Sequence, residues 1–132
     1  MITFAIALYI STPYAIDGDT IDIQGECVRL VQVNTPEQGN CYANKAKQYT
    51  KEFLKTQEKI KLIRDPNLDN KDDYGRSLRY VIKGNRNLNL ELIRKGYAEP
   101  MFFNGMKGKY AKQIERLANK AKAKRLGLWG CK

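Results

Sequence analysis

The sequence predicts an α+β fold, short strands with three helices in a pattern compatible with a small barrel, on three observations. Residues 19–34 read as a hairpin, Ile60–Ile63 and Leu78–Ile82 add short strand-like runs, and three amphipathic windows separate or follow them. In the hairpin, Ile21-Asp22-Ile23 alternates, Gln24-Gly25 suits a tight turn, and Val28 to Val33 is a run rich in β-branched residues. The first helix is expected over about Ala43–Leu54, burying Ala46, Tyr49, Thr50 and Phe53. Ile60 to Ile63 alternates Lys with Ile and Leu, as a half-buried strand does. Asp65 to Asp73, with Pro66, three further acids and two Asn, reads as an exposed loop before the Leu78–Ile82 strand. A second helix is bracketed by Asn87 as N-cap and Gly96 just past its end, with Leu88 and Leu92 inward. The third, from about Gly108 to Arg125, sets Tyr110, Ile114, Leu117 and Ala121 on one stripe and spreads Lys112, Arg116, Lys120, Lys122 and Lys124 over the rest.

At 132 residues and 42% hydrophobic content the chain is one domain, large enough for a core without staples. Its net charge of +10 favours polyanions such as nucleic acid or an anionic membrane face. The charge is unevenly placed: residues 1–40 hold one basic and five acidic residues, against 23 basic and nine acidic in residues 41–132. Histidine is absent, which excludes His-based metal fingers, paired-histidine ribonuclease chemistry and Ser-His-Asp triads. Three cysteines without Cys-x-x-Cys spacing argue against structural zinc or a thioredoxin-like centre. The apolar run Met1–Ile10 is too short to span a bilayer.

Two clusters of oxygen-bearing residues flank an arginine: Ile16-Asp17-Gly18-Asp19-Thr20 and Asn34-Thr35-Pro36-Glu37, with Arg29 between them. An Asp-Gly pair between isoleucines is by itself most often a turn. Together, however, hard oxygens suit Ca²⁺, and a guanidinium grips phosphate bidentately, so the set points to calcium-assisted phosphodiester chemistry. With Val28-Arg29-Leu30, Tyr74-Gly75-Arg76-Ser77-Leu78, Leu92-Ile93-Arg94-Lys95-Gly96-Tyr97-Ala98 and Gly127-Leu128-Trp129, six motifs in one order resemble the thermonuclease family of staphylococcal-nuclease-like phosphodiesterases. The resemblance runs from near Tyr14 to Trp129. It implies a five-stranded OB-type barrel with three helices, Ca²⁺ as cofactor, and cleavage of DNA and RNA by a monomer.

Carried over residue by residue, the resemblance implies that Asp19 supplies a carboxylate to Ca²⁺, Asn34 a side-chain oxygen and Thr35 its backbone carbonyl. Asp17 stands outside that set. The family commonly has Asp at the position of Asn34, so this site lacks one negative charge and should hold calcium less tightly. Glu37 would orient or deprotonate the attacking water, and Arg29 and Arg76 would stabilise the charge growing on the phosphate. Tyr74, and Phe102 by a count from Gly96, would lie against the bases, while Asn104 departs from an aromatic residue in relatives. The rival reading is a non-catalytic OB-fold nucleic-acid-binding module, which needs a basic groove and Tyr74 but not Arg29, Glu37 and Arg76 together.

Cys41 and Cys131 resemble cysteines of exported relatives and imply a disulfide, leaving Cys27 odd and buried in a strand. Residues 1–15 read either as a signal-peptide remnant or as the first barrel strand, since no basic stretch precedes the apolar run. A secreted or periplasmic protein is expected, with a cytoplasmic one as the alternative.

Overall fold

The computed structural model describes residues 13–56 and 58–131, so most of the 1–15 expectation lies outside the described residues. The described residues form eight short strands and three α-helices: β1 Tyr14–Ala15, β2 Thr20–Ile23, β3 Glu26–Leu30, β4 Val33–Asn34, α1 Ala43–Leu54, β5 Ile60–Ile63, β6 Ser77–Lys83, β7 Arg86–Asn87, α2 Leu88–Arg94, β8 Glu99–Pro100 and α3 Ala111–Ala123. Short 3₁₀ turns cover Phe103–Gly105 and Gly127–Gly130.

The β2–β3 hairpin forms with Thr20 opposite Arg29 and Ile23 opposite Glu26. Its two turn residues, Gln24 and Gly25, both have positive φ, 53° and 82°, the geometry that matches the twist of paired strands. The sheet runs β1-β2-β3-β6-β5, with β7 pairing β6, and a separate pair joins β4 to β8. β3 and β6 are parallel, Val28 to Leu30 facing Ser77 to Arg79.

The α+β class with three helices is as expected, while the strand count differs from the five of the expected OB-type barrel. Among the described residues there are eight strands, and the sheet ends at β1 and β5 without closing on itself. The physical reason sits at Gln32, whose φ of 70° breaks the predicted Val28–Val33 strand in two. Three hydrogen bonds hold this strained residue: its carbonyl accepts from Met101 N at 2.9 Å, its Nε2 donates to the Met106 carbonyl at 3.1 Å, and its Oε1 accepts from Gly108 N at 2.9 Å. Beyond the break, Val33 and Asn34 leave β6 and pair with Pro100 and Glu99.

The helices fall where expected. Asn87 caps α2 by accepting from Leu90 N at 3.2 Å, and Gly96 follows it at φ 77°. A side chain at Gly96 would meet the Leu126 carbonyl, because Leu128 N donates to the Gly96 carbonyl at 2.8 Å and docks the chain's last turn there. One main core gathers Ile21, Val28, Leu30, Phe53, Leu88, Leu92 and Ile114 from sheet and helices. In α3 the buried face is Ala111, Ile114, Ala118 and Ala121, with Tyr110 and Leu117 half buried beside it.

The Asp65–Asp73 segment is not wholly exposed. Asp65 and Leu68 are buried, at 2% and 7% exposure. A buried carboxylate needs donors, and Asp65 has them: Tyr80 Oη at 2.7 Å, Lys109 N at 2.8 Å and Asn67 N at 3.0 Å. Cys41 and Cys131 are disulfide-bonded with Cα atoms 6.4 Å apart, and Cys27 is free and half buried in β3.

Candidate active site

The site is built where β2, β3 and β4 converge. Ile16 N and Asp17 N both donate to the Thr20 carbonyl, at 2.8 and 3.0 Å, curling residues 16–20 into a tight loop. Gly18 lies so close to Thr35 and Ala46 that a Cβ would come within 2.8 and 2.9 Å of their side chains. Its carbonyl accepts from Thr50 Oγ1 at 2.6 Å, which fastens the loop to α1. The loop delivers the buried Asp19 carboxylate, whose Oδ2 accepts from Thr35 N at 2.9 Å and whose Oδ1 accepts from Thr20 Oγ1 at 3.0 Å.

Strand alternation turns Val28 and Leu30 into the core and Arg29 to the other face. Arg29 Nη1 donates to the Leu30 and Val33 carbonyls at 2.7 and 2.8 Å, and Nη2 donates to Asn34 Oδ1 at 3.0 Å. Nη2 also stands 3.3 Å from Asp19 Oδ2 and 3.7 Å from Met101 Sδ. The kink at Gln32 makes this possible, since it brings the Val33 carbonyl and the Asn34 amide back over the guanidinium. Burial pulls the Arg29 pKa down, Asp19 opposes that fall and the charge of Arg76 adds to it. A guanidinium shifted in this way is still charged at neutral pH.

Arg76 comes from the loop before β6. Its Nε donates to Asp72 Oδ2 at 2.7 Å and its backbone N to Asp72 Oδ1 at 2.9 Å. Burial alone would raise the Asp72 pKa, but these donors and the Tyr74 amide outweigh it and hold the carboxyl below its usual value. The Tyr74 ring, 84% exposed, stacks 5.3 Å from Arg76 Cζ. Arg29 on β3 and Arg76 in the loop before β6 line one cleft of about 190 Å³ together with Asp72, Tyr74, Met101, Phe103 and Met106. Two fixed positive charges on the walls of one cleft, with an aromatic face at its edge, suit a phosphate ester and its base.

A family model described as Staphylococcal nuclease homologue matches residues 27–131. The chain belongs to the staphylococcal nuclease family. It is 38% identical over 125 residues to the thermonuclease of Staphylococcus intermedius, a match covering 86% of this chain and 71% of that protein. Against the thermonuclease of Staphylococcus hyicus it is 34% identical over 124 residues, with the same coverages of 86% and 71%. It is also 30% identical over 125 residues to the SPbeta prophage-derived endonuclease YokF of Bacillus subtilis, covering 87% of this chain and 42% of that one.

Set against the residues that the family resemblance singled out, the structure brings Asp19, Arg29, Asn34 and Thr35 into one hydrogen-bonded group and Arg76 and Tyr74 into the cleft that Arg29 also lines. Glu37 is exposed, on a turn closed by Asn40 N donating to its carbonyl at 2.9 Å, and is not part of the cleft lining. Phe102 is half buried against the main core, with Lys107 Nζ 5.5 Å from its ring, and Phe103, 57% exposed, is the phenylalanine that lines the cleft. Asn104 lies in the 3₁₀ turn with φ 56°. Asp72 and Met101 also escaped the sequence reading. The only available signal was the i, i+4 spacing of Asp72 and Arg76, which a loop does not ordinarily convert into contact.

The donor set can be tested against a hard cation on its geometry. Among the described residues no three His, Cys, Asp or Glu side chains group together. Asp19 Oδ2 and Asn34 Oδ1, however, both face a single cationic nitrogen, Arg29 Nη2, at 3.3 and 3.0 Å. Two hard oxygens already converge on positive charge, so they fit an oxygen-coordinated cation in donor type and placement.

Proposed function

We propose that this member of the staphylococcal nuclease family hydrolyses phosphodiester bonds of DNA and RNA with Ca²⁺, without base specificity beyond local melting. The enzyme is a hydrolase of endonuclease type, and what supports the reading is the pair of guanidiniums, Arg29 and Arg76, facing one cleft with Tyr74 at its edge. Asp19 and Asn34, with the Thr35 carbonyl, would hold the calcium ion, which supplies positive charge to a phosphate oxygen.

The chain's own residues have separate tasks. Arg76, held by Asp72, presents a preformed charge to the phosphate, so little reorganisation is needed as negative charge grows there. Arg29 is braced by two backbone carbonyls and acts from a fixed position, exchanging its Asn34 or Met101 contact for a phosphate oxygen. Glu37, free in solvent, orients or deprotonates the attacking water. Tyr74 and Phe103 take the neighbouring base. Export of the protein is part of the proposal, supported by the Cys41–Cys131 bond, a linkage that persists in oxidising compartments.

One observation favours the non-catalytic binding module: Arg29 spends its fork on protein acceptors and Glu37 stands off the cleft. A single assay separates the two. Purified protein is incubated with denatured DNA or with RNA in calcium, magnesium or chelator. Cleavage in calcium with little in magnesium and none in chelator is expected; retention of intact strand on the protein in calcium would establish the binding module instead.

A further inference from the structure

We propose that α3 is a track for the phosphate backbone of a nucleic-acid strand leaving the cleft, so that substrate is held well beyond the bond being cut. This rests on the nuclease reading of the cleft and extends it to a second binding surface. Lys112, Arg116, Lys120 and Lys124 are all exposed and follow one another at intervals of four residues. Each such interval climbs about 6 Å along a helix and turns by about 40°, so the four cations form one slowly winding stripe about 18 Å long. Across that length a DNA strand in duplex form presents about five phosphates, at about 3.4 Å each.

Among the described residues no ion pair neutralises this stripe. Glu115 is the single acidic residue of α3, and it pairs with Lys107 at 3.2 Å. Among the described residues none of the four cations has an acidic partner. Like charges four apart repel and weaken a helix, and a partner with regularly repeated negative charge relieves that repulsion.

The chain leading into α3 lies beside the cleft. Met106 lines the cleft, Gln32 binds its carbonyl and the Gly108 amide, and the Lys109 amide is fixed by Asp65, so the start of α3 is anchored at the cleft's edge. A membrane surface is the other polyanion to weigh. Helices that lie on membranes insert an apolar face, whereas the apolar face of α3, Ala111, Ile114, Ala118 and Ala121, is spent on the protein core. The charge is therefore available to a ligand that needs charge alone.

The test compares the folded wild type with a quadruple variant, Lys112→Gln, Arg116→Gln, Lys120→Gln and Lys124→Gln, and with a control that removes four cations elsewhere, Lys47→Gln, Lys51→Gln, Lys59→Gln and Lys61→Gln. Binding of a labelled single strand of about 30 nucleotides is measured in chelator between about 50 and 200 mM salt. Each lost phosphate contact flattens the slope of log Kd against log salt by about 0.7, so the α3 variant should lose about 2 to 3 in slope and the control much less. Affinity for a trinucleotide, too short to reach α3, should change no more in the α3 variant than in the control. An unchanged slope, or an equal loss in the control, overturns the proposal. So does an α3 variant that loses binding only to phosphatidylserine vesicles, which would make α3 a membrane face. The binding assay needs no turnover: cleavage in calcium with an unchanged slope removes the track alone, and a changed slope without cleavage removes the nuclease reading alone.

Discussion

At the scale of single residues, Arg29 and Arg76 are unequal although both face the cleft. Arg76 is anchored through one carboxylate and leaves most of its fork free, whereas Arg29 is braced from several sides. Arg76→Ala and Arg29→Ala should each lower kcat on the order of a hundredfold with KM within a few-fold, read by steady-state kinetics on denatured DNA. Glu37→Gln belongs with them, and a loss confined to KM would make these groups binding residues. Circular dichroism matters most for Arg29→Ala, because four acceptors lose their donor there. Asn34→Asp should lower the calcium concentration for half-maximal activity, since a carboxylate replaces an amide among the oxygens around Arg29 Nη2. An unchanged requirement would show that residue 34 does not bind the ion. Sequence could name Asp19, Arg29, Asn34, Thr35, Arg76 and Tyr74 as candidates because each sits inside a compact motif. It misplaced the aromatic wall, because a count from Gly96 cannot see that the chain enters a 3₁₀ turn at Phe103 and changes which ring points outward.

Among elements, hairpin and helix ends were legible because their signals are local. Two turn residues with positive φ make the β2–β3 turn, and an asparagine and a glycine bound α2. The break at Gln32 was not legible, because its strain is held by Met101, Met106 and Gly108 from far along the chain. Asp65 is similar: an acid in a Pro- and Asn-containing stretch reads as solvent-exposed until Tyr80 and Lys109 arrive to donate to it. Burial on its own would raise the Asp65 pKa, but those donors and the Asn67 amide prevail and lower it from its ordinary 3.8. A carboxyl lowered on folding stabilises the native state above its unfolded value and loses that contribution as pH falls through its folded value. Wild type should therefore lose stability steeply below about pH 4, while Asp65→Asn should be weaker at neutral pH by on the order of 1 to 3 kcal/mol and fall off less in acid. Urea denaturation at neutral and acid pH measures both, and parallel curves would show that Asp65 does not carry the acid sensitivity.

For the whole molecule, the Cys41–Cys131 bond spans 90 positions and ties the last turn of the chain to the entrance of α1. In the chain-entropy model a loop of that size stabilises by about 4 to 5 kcal/mol. Alkylation and mass mapping of protein from its native compartment should find this pair linked and Cys27 labelled, and reduction should lower Tm in proportion. Ready labelling of all three thiols would remove the support for export.

The parallel pairing of β3 with β6 has a consequence for the order in which function appears during folding. Val28 to Leu30 must find Ser77 to Arg79 across a stretch that contains α1 and β5, whereas the hairpin and the helices close over short distances. Contacts between residues so distant in the chain are the slow ones to form, since loop closure is paid before the contact rewards it. Arg29 lies in the first of these segments and Arg76 immediately precedes the second, so the two walls of the cleft meet only when that pairing is made. A chain with its helices formed but this pairing unmade should have no place to hold phosphate, so cleavage of DNA should return only as the two strands join.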